Sequence, residues 1–168
     1  MIKILVSACL VGRRVRYDGK IVRPVNSVLG KWHQMRILIP FCPEMAGGLT
    51  VPRPPAEIAK GDGLSVLNGD AKIVDVYGRD VTSYFLAGAQ SALEKAMRLE
   101  IGLAILKDGS PSCGSSYIYD GTFSKKQKPG KGVTSALLEK NNIRVFSEKD
   151  IKEVAVSVSG SISESILW

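Results

Sequence analysis

Residues 81–107 read V-T-S-Y-F-L-A-G-A-Q-S-A-L-E-K-A-M-R-L-E-I-G-L-A-I-L-K, and this stretch decides the fold. Its first part carries Phe85, Leu86, Ala89, Leu93, Ala96 and Leu99 at helical spacing. That pattern predicts a helix over 81–99 with an apolar stripe turned to the core and Asp80 or Thr82 as its cap. Its last part, residues 102–107, is a short apolar run with the length of a buried strand. The alternation continues outward. Residues 2–8 and 36–41 read as strands with a short helix over 26–35 between them, and a helix over 133–141 leads into the strand I-R-V-F at 143–146. A polar start near Ser147 opens a last helix. Strands separated by helical segments imply βαβ units, so the predicted fold class is α/β, three-layer, with a mostly parallel sheet flanked by helices.

The segments between these elements carry their own signals. Residues 64–76, L-S-V-L-N-G-D-A-K-I-V-D-V, predict a small β-hairpin excursion outside the main sheet, because Asn68-Gly69 suits the positive φ values of a tight turn. Residues 42–57, C-P-E-M-A-G-G-L-T-V-P-R-P-P-A-E, hold too many prolines and glycines for regular structure and read as a long loop. Residues 108–132 read as a second loop, rich in glycine, serine and lysine. Long ordered loops in compact domains are disproportionately functional. From Val154 onward apolar residues and serine alternate with period two, compatible with an edge strand, a segment exchanged between subunits or a disordered end. Residues 1–150 are thus expected to form a single α/β domain and residues 151–168 a C-terminal extension. Tyr-Asp-Gly occurs at 17–19 and 119–121 with different flanks, which indicates two turns rather than a repeat.

The chain has 168 residues, 45% of them hydrophobic, and its net charge is +7. That length suits one domain with a sizeable core, and no stretch approaches the ~20 apolar residues of a membrane span. Met1 leads into a short strand-like run without the apolar segment and cleavage site of a signal peptide, so the expected location is the cytoplasm. The basic balance, concentrated at Arg13, Arg14 and Arg16 and at Lys125, Lys126, Lys128 and Lys131, fits a nucleic acid or phosphorylated partner and equally fits solubility alone. No G-x-G-x-x-G or G-x-x-x-x-G-K pattern argues for a dinucleotide or ATP.

An odd set of three cysteines in a reducing compartment argues against a disulfide framework. Each follows an apolar strand: Cys9 ends I-K-I-L-V-S-A-C, Cys42 ends R-I-L-I-P-F-C, and Cys113 closes L-A-I-L-K-D-G-S-P-S-C-G. Singly, each reads as a small buried hydrophobe. Together they are expected to meet, because loops leaving the carboxyl ends of neighbouring parallel strands share one edge. Three thiolates leave a metal centre with an open position. Their spacing, 33 and then 71 residues, matches no zinc-finger or ferredoxin pattern. Glu44, two residues after Cys42, is the candidate general acid or base. Lys107, at a strand end, is a candidate to lower thiolate pKa values or to hold an anionic substrate group. His33, the only histidine, reads as structural.

The segments S-A-C-L-V-G (7–12), R-Y-D-G (16–19), C-P-E-M-A-G-G-L-T-V-P-R-P-P-A-E (42–57), L-K-D-G-S-P-S-C-G (106–114), I-Y-D-G-T-F (118–123) and P-G-K-G-V-T (129–134) together resemble the thiouracil desulfurases. The resemblance runs in the same order from about residue 2 to about residue 148. It implies an oxygen-sensitive [4Fe-4S] cluster held by Cys9, Cys42 and Cys113, whose fourth iron takes the sulfur of a thiolated nucleobase such as 2-thiouracil. It also implies Glu44 as the proton-transfer residue and Ser110 at the substrate. The expected activity is therefore non-redox desulfuration of a thiolated pyrimidine, with a monomer or dimer as the working unit. Two alternatives belong to other classes: an RNA-binding, sulfur-handling partner of tRNA thiolation, and a structural zinc protein using the same three cysteines plus one other ligand.

Overall fold

Short apolar runs form the centre of the molecule because strands buried on both faces need apolar residues at every position. The computed structural model describes residues 2–21 and 27–165, with side chains of the last helix described as far as Val158. In chain order the elements are β1 (Ile4–Ser7), a 3-10 turn (Ala8–Val11), α1 (Ser27–Gln34), β2 (Leu38–Phe41), α2 (Pro43–Ala46), β3 (Ala56–Ile58) and α3 (Gly63–Leu67). They continue with β4 (Ile73–Asp75), α4 (Thr82–Arg98), β5 (Leu103–Leu106), β6 (Tyr117–Tyr119), β7 (Gln127–Pro129), α5 (Val133–Lys140), β8 (Arg144–Ser147) and α6 (Ile151–Ser165).

The main sheet has four strands in the order β2-β1-β5-β8, and every pairing is parallel. Side chains alternate across it. Ile4, Val6, Leu103 and Ile105 pack with Leu29 and Trp32 of α1 and with Ile151, Val154 and Val158 of α6. Leu5, Ala104 and Leu106 pack on the opposite face with Ala92, Leu93 and Ala96 of α4 and Leu138 of α5. The predicted three-layer α/β architecture is therefore the observed one. Each fully buried Ile or Leu contributes roughly 1.5–3 kcal/mol. A third apolar cluster, including Ile58, Ile73, Phe85, Ile118 and Val133, sits under the loops at the carboxyl edge.

Five local expectations differ from the structure. Residues 64–76 are not a hairpin. Asp62 accepts N–H bonds from Leu64 (3.0 Å) and Ser65 (3.2 Å) and, with Ser65, makes a capping box that starts α3, while Asn68 has a right-handed φ of −79°. β4 instead pairs antiparallel with β3, which lies in the segment read as irregular. Residues 108–132 contain the antiparallel pair β6–β7. The tail is helical as α6, not period-two: Ile151, Val154, Ala155 and Val158 share one helix face against the core, and Val156, which completes the alternation, is 76% exposed. Residues 166–168 lie outside the described ones. Finally, the residue flanking α4 is Val81, and Asp80 serves the helix start by accepting from Thr82 N–H at 3.0 Å. Among the described residues no helix is long and apolar enough to cross a membrane.

Candidate active site

The chain leaves β1 towards β2 on one side and later runs from β5 to β8 on the other, so the order of connection reverses between β1 and β5. Such a switch point opens a crevice at the carboxyl ends of the strands. Cys42, Cys9 and Cys113 follow β2, β1 and β5, three consecutive neighbours, and all three are free thiols. They line one cavity of about 870 Å³ together with Glu44, Lys107 and Ser110. All six candidate site residues thus line the same cavity. His33 lies in α1 and is not among the lining residues.

Each cysteine is placed by a different local device. Cys9 rides on the 3-10 turn, which ends at Gly12 in the left-handed region with φ of 84°. Cys42 is the residue that precedes α2. α2 lies directly on α4 through two glycines: a Cβ on Gly88 would stand 2.0 Å from the Pro43 carbonyl oxygen, and one on Gly47 would stand 1.9 Å from that of Tyr84. Cys113 sits in a loop cinched by Asp108, whose Oδ1 accepts N–H bonds from Ser115 (2.8 Å), Ser116 (2.9 Å) and Tyr117 (3.4 Å). The same loop caps α5. The carbonyls of Pro111, Ser112 and Gly114 accept from Val133 (2.8 Å), Thr134 (2.9 Å) and Gly132 (2.8 Å), satisfying N–H groups that a helix start leaves without partners.

The thiols feel one another's charge. Burial pushes Cys9 up to about 11, with a charge on Cys42 adding to the effect and those of Lys107 and Arg16 opposing it. Cys42 is also raised, first by burial and against the N–H of Met45. Cys113 is raised by burial most of all, opposed by a hydrogen bond from Ser7. Ser7 also accepts the N–H of Lys107 at 3.0 Å, so one buried hydroxyl ties the end of β1 to the end of β5.

Two ion pairs flank the thiols. Arg53 donates to Glu44 Oε2 from both Nε and Nη2 at 2.7 Å, and Ser110 Oγ donates to Glu44 Oε1 at 3.1 Å. Lys107 pairs with Glu148, whose Oε2 accepts the Asp108 N–H at 2.8 Å. Burial works against the Lys107 charge, but Glu148 outweighs it and holds the Lys107 pKa above its ordinary value. Arg53, Ser7 and Glu148 escaped the sequence reading. Arg53 and Ser7 stand inside the quoted motifs, but nothing in their spacing announces their partners; Glu148 is 41 residues from Lys107.

Among the described residues no three His, Cys, Asp or Glu side chains close on a single metal ion. A soft, all-thiolate donor set spread around a cavity fits a polynuclear iron–sulfur group.

Comparison with known proteins agrees with that chemistry. The 2-thiouracil desulfurase family model matches residues 4–150. The chain is 44% identical over 151 residues to the uncharacterized protein YbbK of Bacillus subtilis (strain 168), covering 90% of this chain and 99% of that protein. Its fold is similar to a solved structure of the [4Fe-4S]-dependent thiouracil desulfidase TudS, with a TM-score of 0.86 and 43% identity over 95% of this chain and 99% of that one. The chain belongs to the 2-thiouracil desulfurase family.

Proposed function

We propose that this enzyme removes sulfur from a thiolated pyrimidine base, 2-thiouracil or a close relative, by hydrolysis without net electron transfer. The observation that carries this reading is the convergence of three free thiols, at the ends of three adjacent strands, on a cavity that also holds a carboxylate and a hydroxyl. Cys9, Cys42 and Cys113 would hold a [4Fe-4S] cluster, which would supply Lewis acidity and affinity for a thiocarbonyl sulfur. The chain's own residues supply the rest. Glu44 Oε1 takes a proton from the attacking water and returns it to the departing sulfur, and Ser110 Oγ, held by the N–H groups of Ser112 (3.0 Å) and Cys113 (3.1 Å), orients the base and the carboxylate. The water oxygen replaces sulfur on the ring carbon, and its two protons leave with sulfur as hydrogen sulfide.

Lys107, fixed by Glu148, sets a positive charge at the cavity wall beside Cys9 that favours thiolate ligation and a deprotonated, anionic ring. Residues 1–150 carry every residue assigned to the cluster and the substrate, and α6 seals the sheet face away from α4 and α5. Three free thiols suit the reducing cytoplasm. The test is anaerobic incubation of iron-loaded protein with 2-thiouracil in ¹⁸O-labelled water, without reductant. Labelled uracil and stoichiometric sulfide are expected, and Glu44→Gln is expected to keep its iron while turning over about 10²–10⁴-fold more slowly. A requirement for reductant, or unlabelled uracil, would contradict the hydrolytic reading.

A further inference from the structure

We infer that Arg53 is the positioning residue of this site: it occupies Oε2 of Glu44 and leaves Oε1 as the oxygen that exchanges a proton at the substrate. The inference rests on the desulfuration reading and adds to it a residue and an atom. Arg53 comes from the proline-rich loop after α2, and its side chain is only 7% exposed. Its Nε and Nη2 both point at Oε2 at 2.7 Å. The remaining guanidinium N–H groups are fixed by backbone carbonyls from two loops, Nη1 to Thr50 at 3.1 Å and Nη2 to Val15 at 3.0 Å. The fork therefore has one orientation, set from both sides of the cavity mouth.

The hydrogen bonds then run in one direction. Ser112 and Cys113 give their N–H groups to Ser110 Oγ, so the single hydroxyl proton of Ser110 is left for Glu44 Oε1. Every hydrogen bond on Glu44 is received, and the two oxygens have different donors: a cation that cannot give up its proton on Oε2, a neutral hydroxyl on Oε1. A proton arriving from water has only Oε1 to go to. Lysine, with one nitrogen and no planar fork, cannot reproduce the pair of bonds together with both carbonyl anchors.

A plain cross-brace between the loops after β1 and β2 would also be buried and hydrogen-bonded, so the test separates the two roles. In iron-loaded protein, Arg53→Lys and Arg53→Gln are expected to lower kcat roughly tenfold to hundredfold with KM and iron content close to wild type. In a Glu44→Gln background the same changes are expected to cost nothing further, because Arg53 acts through Glu44. In cluster-free protein, urea midpoints of Arg53→Gln, Glu44→Gln and the double variant are expected to be non-additive, which reports the pairing without any turnover. Equal losses of kcat in both backgrounds, losses that track iron content, or additive midpoints would overturn the inference. If wild-type protein does not desulfurate, the functional reading fails alone, and the midpoints still decide whether Arg53 engages Glu44.

Discussion

In the sheet, Val6 and Ile105 on one face and Leu5 and Leu106 on the other are enclosed by apolar side chains, any of which similar-sized neighbours could replace at modest cost. At the carboxyl edge, one step further along the same strands, the chain is held by single contacts. Examples are Asp108 gathering three N–H groups, Gly88 under the Pro43 carbonyl, Ser7 on the Lys107 N–H and Arg53 on Glu44. The first region is stabilised by the amount of apolar surface buried, the second by the identity of each atom. Sequence tolerance should differ accordingly: broad in the sheet, narrow at the edge proposed to carry the chemistry.

The largest effect is expected at the thiols. Cys113→Ser should abolish turnover together with iron loading, and normal iron content in that variant would remove Cys113 from the ligand set. Gly88→Ala comes next. Alanine is the better helix former by about 1 kcal/mol, yet a Cβ 2.0 Å from a carbonyl oxygen forces α2 away from α4. Chemical denaturation should therefore show a net loss of about 1–3 kcal/mol, with iron loading impaired because Cys42 and Glu44 move with α2. A stabilised Gly88→Ala variant would show that the edge is as forgiving as the sheet.

Asp108 sharpens the contrast through pH. Burial works to raise its pKa, but the N–H groups of Ser116 and Ser115 outweigh it and hold the carboxyl below its ordinary value of 3.8. A depressed folded-state pKa means that the stabilising effect is present above the unfolded value and is lost as pH falls through the folded one. Asp108→Asn should cost about 1–2 kcal/mol at neutral pH, and the difference from wild type should shrink as pH drops below the 3.8 of the free group. A pH-independent difference would assign the loss to packing. The smallest effect is expected in the sheet, where Ile105→Val should cost about 0.5–1.5 kcal/mol and leave iron content and turnover unchanged.

The same contrast explains how much could be read without coordinates. The strands and long helices were legible because burial writes a local period into the chain, as at Leu103–Leu106 and Thr82–Arg98. Helix α6 was obscured because Val154 and Val158 satisfy both a period-two and a helical face, and only Ile151 and Ala155 break the tie. The 64–76 segment misled because Asn68-Gly69 is a strong turn signal, while the deciding residue, Asp62, stands just before it. β7 escaped because Gln127–Pro129 has no apolar pattern at all. At the candidate site, the motifs single out the cysteines and Glu44, which line one cavity. They do not single out the clamps: Arg53 reaches Val15 across 38 residues and Glu148 reaches Lys107 across 41, and pairs of that kind exist only once the fold has closed.

In the proposed reading, three cysteines that follow three adjacent strands hold one iron–sulfur cluster for hydrolytic desulfuration. The most direct test is the iron and acid-labile sulfide content per chain after anaerobic reconstitution. About four of each per chain, with a broad sulfide-to-iron absorption band and with both contents falling to near zero in each single cysteine-to-serine variant, is the predicted result. A colourless protein, one loaded with zinc, or one that keeps its full iron without Cys9, Cys42 or Cys113 would contradict it.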